Sequence, residues 1–76
     1  MRYPNDLYVS AVAKYVSAHV QTGKTIKELI EETSMTEKTV EAAIRELQDL
    51  TLITVKENTI TAVAEDMIRI LRYSLK

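Results

Sequence analysis

The chain has 76 residues, of which 46% are hydrophobic and 28% charged, a composition typical of one small globular domain rather than of a disordered or fibrous chain. It contains no cysteine, which excludes disulfides and thiolate metal sites, and its single histidine, His19, has no second histidine with which to share a metal. The formal net charge of −1 lacks the basic excess typical of nucleic-acid-binding domains.

The length of the chain favours self-association. A domain of this size buries only about 60% of the surface that its unfolded chain exposes, so a partner chain is the expected source of further stability. We therefore expect a homodimer. The N-terminus has no basic region followed by an apolar run, and no apolar stretch approaches the length of a membrane span. The sequence thus predicts a cytoplasmic protein with no membrane partner.

A first helix is expected over about residues 6–21. Asn5 or Asp6 can cap its first turn, with Pro4 outside it. Gly23 fits the left-handed position that ends a helix. The apolar positions cover a wider arc than one buried face needs, so we expect this helix to contact two surfaces.

Two short helices joined by a tight turn are predicted next. The run from Thr25 to Glu28 matches a capping box, in which the threonine hydroxyl and the glutamate carboxylate each accept a backbone amide, and it opens a helix over about residues 25–33. Ser34 and the residue after it leave room only for a turn. Thr36 can cap a further helix over about residues 36–50, whose apolar residues recur at helical spacing.

The pattern then changes to one that favours a hairpin. Two short runs rich in β-branched residues, 52–55 and 59–61, predict a hairpin over about residues 52–61. Thr61 can cap a last helix over about residues 62–75, with acids in its first turns and bases near its end, both favourable to the helix dipole. The prediction is one mostly helical α+β domain over residues 1–76, in the order helix, helix, turn, helix, hairpin, helix.

The segment from roughly Lys24 to Thr61 carries a pattern of nine residues, which are Leu29, Ile30, Met35, Thr39, Val40, Ile44, Leu47, Leu52 and Ile53. This pattern and the order of the elements resemble those of winged helix-turn-helix transcriptional regulators of the prokaryotic MarR, ArsR and Lrp-like groups. The resemblance implies a sequence-specific regulator that binds double-stranded DNA, with the third helix in the major groove and the hairpin as a wing on the backbone.

Two positions depart from the family pattern. The family usually has glycine in the turn between the two helices and again before the first wing strand, where this chain has Ser34 and Thr51. Because a β-branched residue is strained at positive φ, we expect the corner at Thr51 to be built differently.

The third helix has one outward face on which DNA contacts are expected. Lys38, Glu41, Ala42 and Arg45 follow the spacing i, i+3, i+4 and i+7, and their groups can donate to guanine, accept from cytosine or touch a thymine methyl. Residues at the starts of the helices and on the wing are candidates for backbone contacts. The full candidate set is Lys24, Thr25, Lys27, Thr36, Lys38, Thr39, Glu41, Ala42, Arg45, Lys56, Asn58 and Thr59.

The charge of this region leaves alternatives open. The segment from Thr25 to Leu50 has seven acids and three bases, a balance of −4, and the rest of the chain balances at +3. Because phosphate neutralisation provides most non-specific affinity, we expect modest, salt-sensitive binding per subunit, with two linked half-sites supplying the rest. Mixed charges are also typical of a solvated helix face, and an acidic segment also suits a protein-interaction module with a basic partner and no DNA.

The last helix has two apolar stripes, one through residues 63, 67, 70 and 71 and the other through residues 64, 68, 71 and 75. A small core has room for one, so we expect the other to pack on a second copy together with the spare face of the first helix; the alternative is burial of both within one chain. The expected interface consists of Tyr8, Val12, Tyr15, Val63, Met67, Ile70, Leu71, Ser74 and Leu75. A two-fold pair would present two recognition helices to half-sites about 34 Å apart.

No catalytic or cofactor site is expected. His19 is interpreted as a packed or dipole-facing side chain, since no second ligand or base joins it. Carboxylate pairs such as Glu31 and Glu32 have no nucleophile, glycine-rich loop or convergent base beside them. The sequence therefore predicts a binding protein and not an enzyme.

Overall fold

The computed structural model describes residues 9–73, which form four helices and one antiparallel two-stranded sheet. In chain order the elements are α1 (Ala11–Ser17), α2 (Ile26–Thr33), α3 (Glu37–Asp49), β1 (Ile53–Lys56), β2 (Thr59–Val63) and α4 (Glu65–Tyr73). The α+β class and the element order agree with the prediction. Outside the described residues lie Asn5, Asp6, Tyr8, Ser74 and Leu75.

The predictions for α2 and α3 are confirmed. Thr25 caps α2, and its hydroxyl accepts the Glu28 amide at 3.1 Å while the Glu28 carboxylate accepts the Thr25 amide at 2.9 Å, which completes the capping box. Thr36 caps α3 by accepting the Thr39 amide at 3.2 Å. Ser34 ends α2 in the left-handed region, with φ 58°. Local side-chain bonds therefore set the ends of the helices around this turn.

The predicted bounds of α1 are wrong at both ends. Ser10 has an extended backbone and caps the helix, so α1 begins at Ala11 instead of near residue 6, and it ends at Ser17 instead of near residue 21. The Glu46 carboxylate on α3 accepts the Ser10 amide at 2.8 Å and the Ser10 hydroxyl at 2.9 Å. A contact from a distant element thus holds the start of this helix. Gly23 does have a positive φ, 95°, but it lies in the following loop.

The hairpin turns through two residues, Glu57 and Asn58, both at positive φ, which is the geometry of a tight type I′ turn. The loop before α2 pairs with the outer edge of β2: the Ile60 amide donates to the Lys24 carbonyl at 2.8 Å, and the Ile26 amide donates to the Asn58 carbonyl at 2.9 Å. These bonds place the hairpin turn beside the first turn of α2.

Two predictions about the hairpin and its flanks are wrong. Thr61 lies inside β2 and its hydroxyl donates to the Thr54 carbonyl at 3.2 Å, so it does not cap α4, which begins at Glu65 instead of at residue 62. Thr51 has φ 58°, the left-handed conformation that glycine would adopt there. The corner before β1 therefore keeps a glycine-like geometry despite its β-branched residue.

The core lies between all four helices and the hairpin. Ile68 and Leu71 of α4 are buried in it, and Val63 and Met67 pack against it half-buried. Ile70, by contrast, is 57% exposed. Leu71 was predicted to lie in the dimer interface, but it belongs to the chain's own core. The reason is that α4 packs against α1 with the side of the helix that carries Leu71.

Candidate nucleic-acid interface

The outer face of α3 carries the predicted side chains. Lys38, Glu41, Ala42 and Arg45 are all exposed, and the apolar residues between them, such as Val40 and Ile44, are buried. Within the described part of the chain, none of the three charged residues on this face forms an ion pair or a side-chain hydrogen bond. Their charged groups are therefore available to a partner.

The first turn of α3 leaves one hydroxyl hydrogen to donate. Thr36 accepts the Thr39 amide and donates its own hydrogen to the Thr39 hydroxyl at 2.8 Å. Thr36 is thus occupied as a cap, while Thr39 keeps a hydrogen for an outside acceptor. Of these two predicted phosphate contacts, the geometry favours Thr39.

The start of α2, the first half of α3 and the hairpin turn line one groove. Its lining includes five of the candidate residues, which are Thr25, Lys27, Glu41, Asn58 and Thr59. A second groove, between α3 and β1, is lined by Glu41, Arg45 and Asn58 among others. The fold thus brings together candidates that are far apart in sequence, and Glu41 and Asn58 lie where the two grooves adjoin.

Lys24, one of the predicted DNA-contacting residues, is engaged within the chain instead of being available to a partner. Its ammonium lies 2.9 Å from Glu32 Oε1 and donates to the His19 carbonyl at 2.8 Å, and its side chain is only 15% exposed. His19 Nδ1 lies 3.3 Å from the same carboxylate oxygen. The hydrogen bond from Lys24 lowers the pKa of Glu32 below its usual 4.5, and the bond from His19 acts in the same direction against partial desolvation. Lys24 therefore ties the loop after α1 to α2.

Local electrostatics are mixed. The groove beside α2 is lined by three carboxylates, Glu37, Glu41 and Glu57, and by one base, Lys27. Three other acids of the α2–α3 segment have partners of their own, which are Glu28 in the capping box, Glu32 beside Lys24 and Glu46 at Ser10. The sequence did not reveal the last of these roles, because Ser10 and Glu46 are 36 positions apart.

A further groove between α1 and α3 brings Val12, which is 39% exposed, beside Lys38 and Ala42. Val12 had been expected in the dimer interface with α4, but it lines a groove with the candidate reading face. Tyr15 is 41% exposed, and its ring meets that of His19 edge-on at 5.2 Å.

Among residues 9–73, no helix is long and apolar enough to cross a membrane, and no three potential metal ligands are grouped. Comparisons with known protein families, with characterised proteins and with solved structures find no match to this chain.

Proposed function

We propose that this chain is a winged helix-turn-helix domain that binds double-stranded DNA, with α3 in the major groove and the hairpin as its wing. The observation that carries the proposal is the exposed stripe of Lys38, Ala42 and Arg45, whose two cations have no partner among the described residues. The left-handed residues Ser34 and Thr51, at the positions where this family has glycine, support it.

The stripe has suitable dimensions for the major groove. Lys38 and Arg45 are separated by seven residues, a rise of about 10 Å along the helix, which matches roughly three base pairs. Arg45 can donate two hydrogen bonds to guanine, and the Ala42 methyl can touch a thymine methyl. Thr39, at the first turn of α3, can donate to a phosphate oxygen.

The wing contributes through its turn. Because the Ile26 amide is bonded to the Asn58 carbonyl, the turn stays close to the first turn of α2. Lys27 and Lys56, both exposed, extend from these two segments. They are expected to contact the DNA backbone and to add affinity without base preference.

We further propose that the domain acts as a homodimer, which would supply two half-sites. Its support is two large apolar side chains that are exposed, Tyr15 on α1 and Ile70 on α4. Light scattering of the native chain and of Ile70→Glu tests this part, since a charge in an apolar contact is expected to yield monomers. A native chain that is monomeric would overturn the homodimer proposal, and a variant that stays dimeric would show that Ile70 lies outside the interface.

Fluorescence anisotropy of a mixed-sequence duplex, titrated at low and at near-physiological salt, tests DNA binding directly. The logarithm of the association constant is expected to fall linearly with the logarithm of salt concentration, by about 0.9 per phosphate contacted. Arg45→Ala should weaken binding to the preferred sequence by about 1 to 3 kcal/mol. Arg69→Ala is the matched control, because it removes the same charge from an exposed position on α4. It should leave the DNA-binding affinity unchanged within error.

One observation favours a second candidate, a protein-binding module. The groove lined by Glu37, Glu41 and Glu57 is acidic and suits a basic segment of another protein. No binding to any duplex at low salt, by a chain shown to be folded, would reject the DNA proposal and make this groove the site to pursue.

A further inference from the structure

The charges on the outer face of α3 alternate along one stripe. Lys38, Glu41 and Arg45 follow one another at successive turns, so the carboxylate has a cation three positions before it and another four positions after it. At this spacing an ion pair is sterically possible, yet among the side chains that the structure describes no oxygen of Glu41 lies within 4.0 Å of a basic nitrogen. Glu41 is thus an exposed carboxylate without a partner in the middle of the proposed reading face.

The location of Glu41 makes this carboxylate central. It lines the groove shared with Lys27 and the hairpin turn, and also the groove shared with Arg45 and Asn58. A duplex seated on α3 would therefore cover it. A carboxylate that faces phosphates only weakens binding. A carboxylate that faces base edges can accept a hydrogen bond from an amino group, and in the major groove this is typically the N4 amino group of cytosine.

We propose that Glu41 determines specificity by accepting a hydrogen bond from the N4 amino group of a cytosine, next to a guanine read by Arg45. This inference rests on the proposed DNA-binding function and adds the composition of the half-site to it. A carboxylate at this position also acts against wrong bases, because the O4 of thymine and the O6 and N7 of guanine are acceptors and would face a negative charge.

Binding-site selection from duplexes with a randomised segment tests the assignment, followed by anisotropy titration of the selected duplex. The native chain is expected to bind the selected duplex about 5- to 100-fold more tightly than the same duplex with the cytosine pair changed to thymine–adenine. Glu41→Gln should lose most of this ratio and shift the preference at that position toward adenine, which glutamine can bind through both of its amide atoms.

Glu37→Gln is the matched control. It removes the same charge from the same helix one turn earlier, at a residue that lines the groove beside α2 but not the groove that holds Arg45. Both variants are expected to bind mixed-sequence DNA more tightly than the native chain does, because each lacks one negative charge near the phosphates. Only Glu41→Gln is expected to change the selected sequence.

The experiment distinguishes a failure of the role assigned to Glu41 from a failure of DNA binding itself. If the native chain binds DNA with the expected salt dependence but Glu41→Gln selects the same sequence, the role of Glu41 is wrong and DNA binding stands. If Glu37→Gln changes the selected sequence as Glu41→Gln does, the effect is one of general charge and the assignment is again wrong. A folded native chain that binds no duplex overturns both.

Discussion

The start of α1 and the starts of α2 and α3 are built in different ways. Thr25 and Thr36 each cap their helix through an amide three residues ahead. Ser10 also bonds such an amide, but its own amide and hydroxyl both reach Glu46 on α3, 36 positions away. Local caps therefore set the starts of α2 and α3, whereas the start of α1 also depends on a contact with α3.

The same contrast separates the two charged surfaces. At the junction of α1 and α2, His19, Lys24 and Glu32 are bonded to one another and hold the chain together. On the outer face of α3, Lys38 and Arg45 have no such partners in the described structure. The paired charges join the loop after α1 to α2, and the unpaired cations on α3 are the ones that we propose contact DNA.

The largest effect is expected where α4 packs on the core. Ile68 is fully buried, so Ile68→Ala should lower the free energy of unfolding by about 2 to 5 kcal/mol, measured by urea denaturation. Ile70→Ala, the same substitution on an exposed side chain of the same helix, should change it by less than about 0.5 kcal/mol at a concentration where the chain is monomeric. Equal effects would contradict the orientation of α4.

Glu46→Ala should reveal the dependence of α1 on α3. Losing a carboxylate that accepts two hydrogen bonds is expected to cost about 1 to 2 kcal/mol. Hydrogen exchange should accelerate more in α1 than in α2, because α2 keeps its own capping box. Glu41→Ala is the control, since this side chain has no hydrogen bond or ion pair within the described residues. Uniform acceleration in both helices would contradict a specific role for Glu46.

A smaller gain in stability is expected from Thr51→Gly. The left-handed conformation of Thr51 costs a residue with a side chain about 1 to 2 kcal/mol. Glycine avoids this strain, but it loses more conformational entropy on folding, which offsets part of the gain. The net increase in stability should be about 0.5 to 1 kcal/mol. Thr54→Gly, in the extended backbone of β1, should instead destabilise by a similar amount. Thermal unfolding of both variants checks the difference in sign.

The smallest effect concerns pH. Because the folded-state pKa of Glu32 is lowered, above all by the bond from Lys24, its contribution to stability is complete above about pH 4.5 and is lost as pH falls through the lower folded value. Glu32→Gln should therefore reduce the loss of stability at acid pH. The measurement is the free energy of unfolding, determined by urea denaturation at several pH values. A loss of stability at acid pH that is unaffected by Glu32→Gln would contradict the pairing with Lys24.

Much of the candidate site was predictable because it depends on helical spacing. The outward positions of Lys38, Glu41 and Arg45 follow from the burial of the residues between them, which the apolar pattern predicts. The removal of Lys24 from that face was not predictable. Its partner Glu32 lies eight positions later, near the end of α2. The pairing therefore depends on how the loop before α2 folds back onto that helix.

By itself, the sequence determined the element types, their order and the bounds of α2 and α3, since caps and apolar periodicity act over three or four residues. Only the tertiary structure decided where α1 begins, that β2 continues through Thr61 to Val63, and which apolar side of α4 is buried. Those features depend on contacts between distant segments, such as Glu46 with Ser10, and no local pattern encodes them.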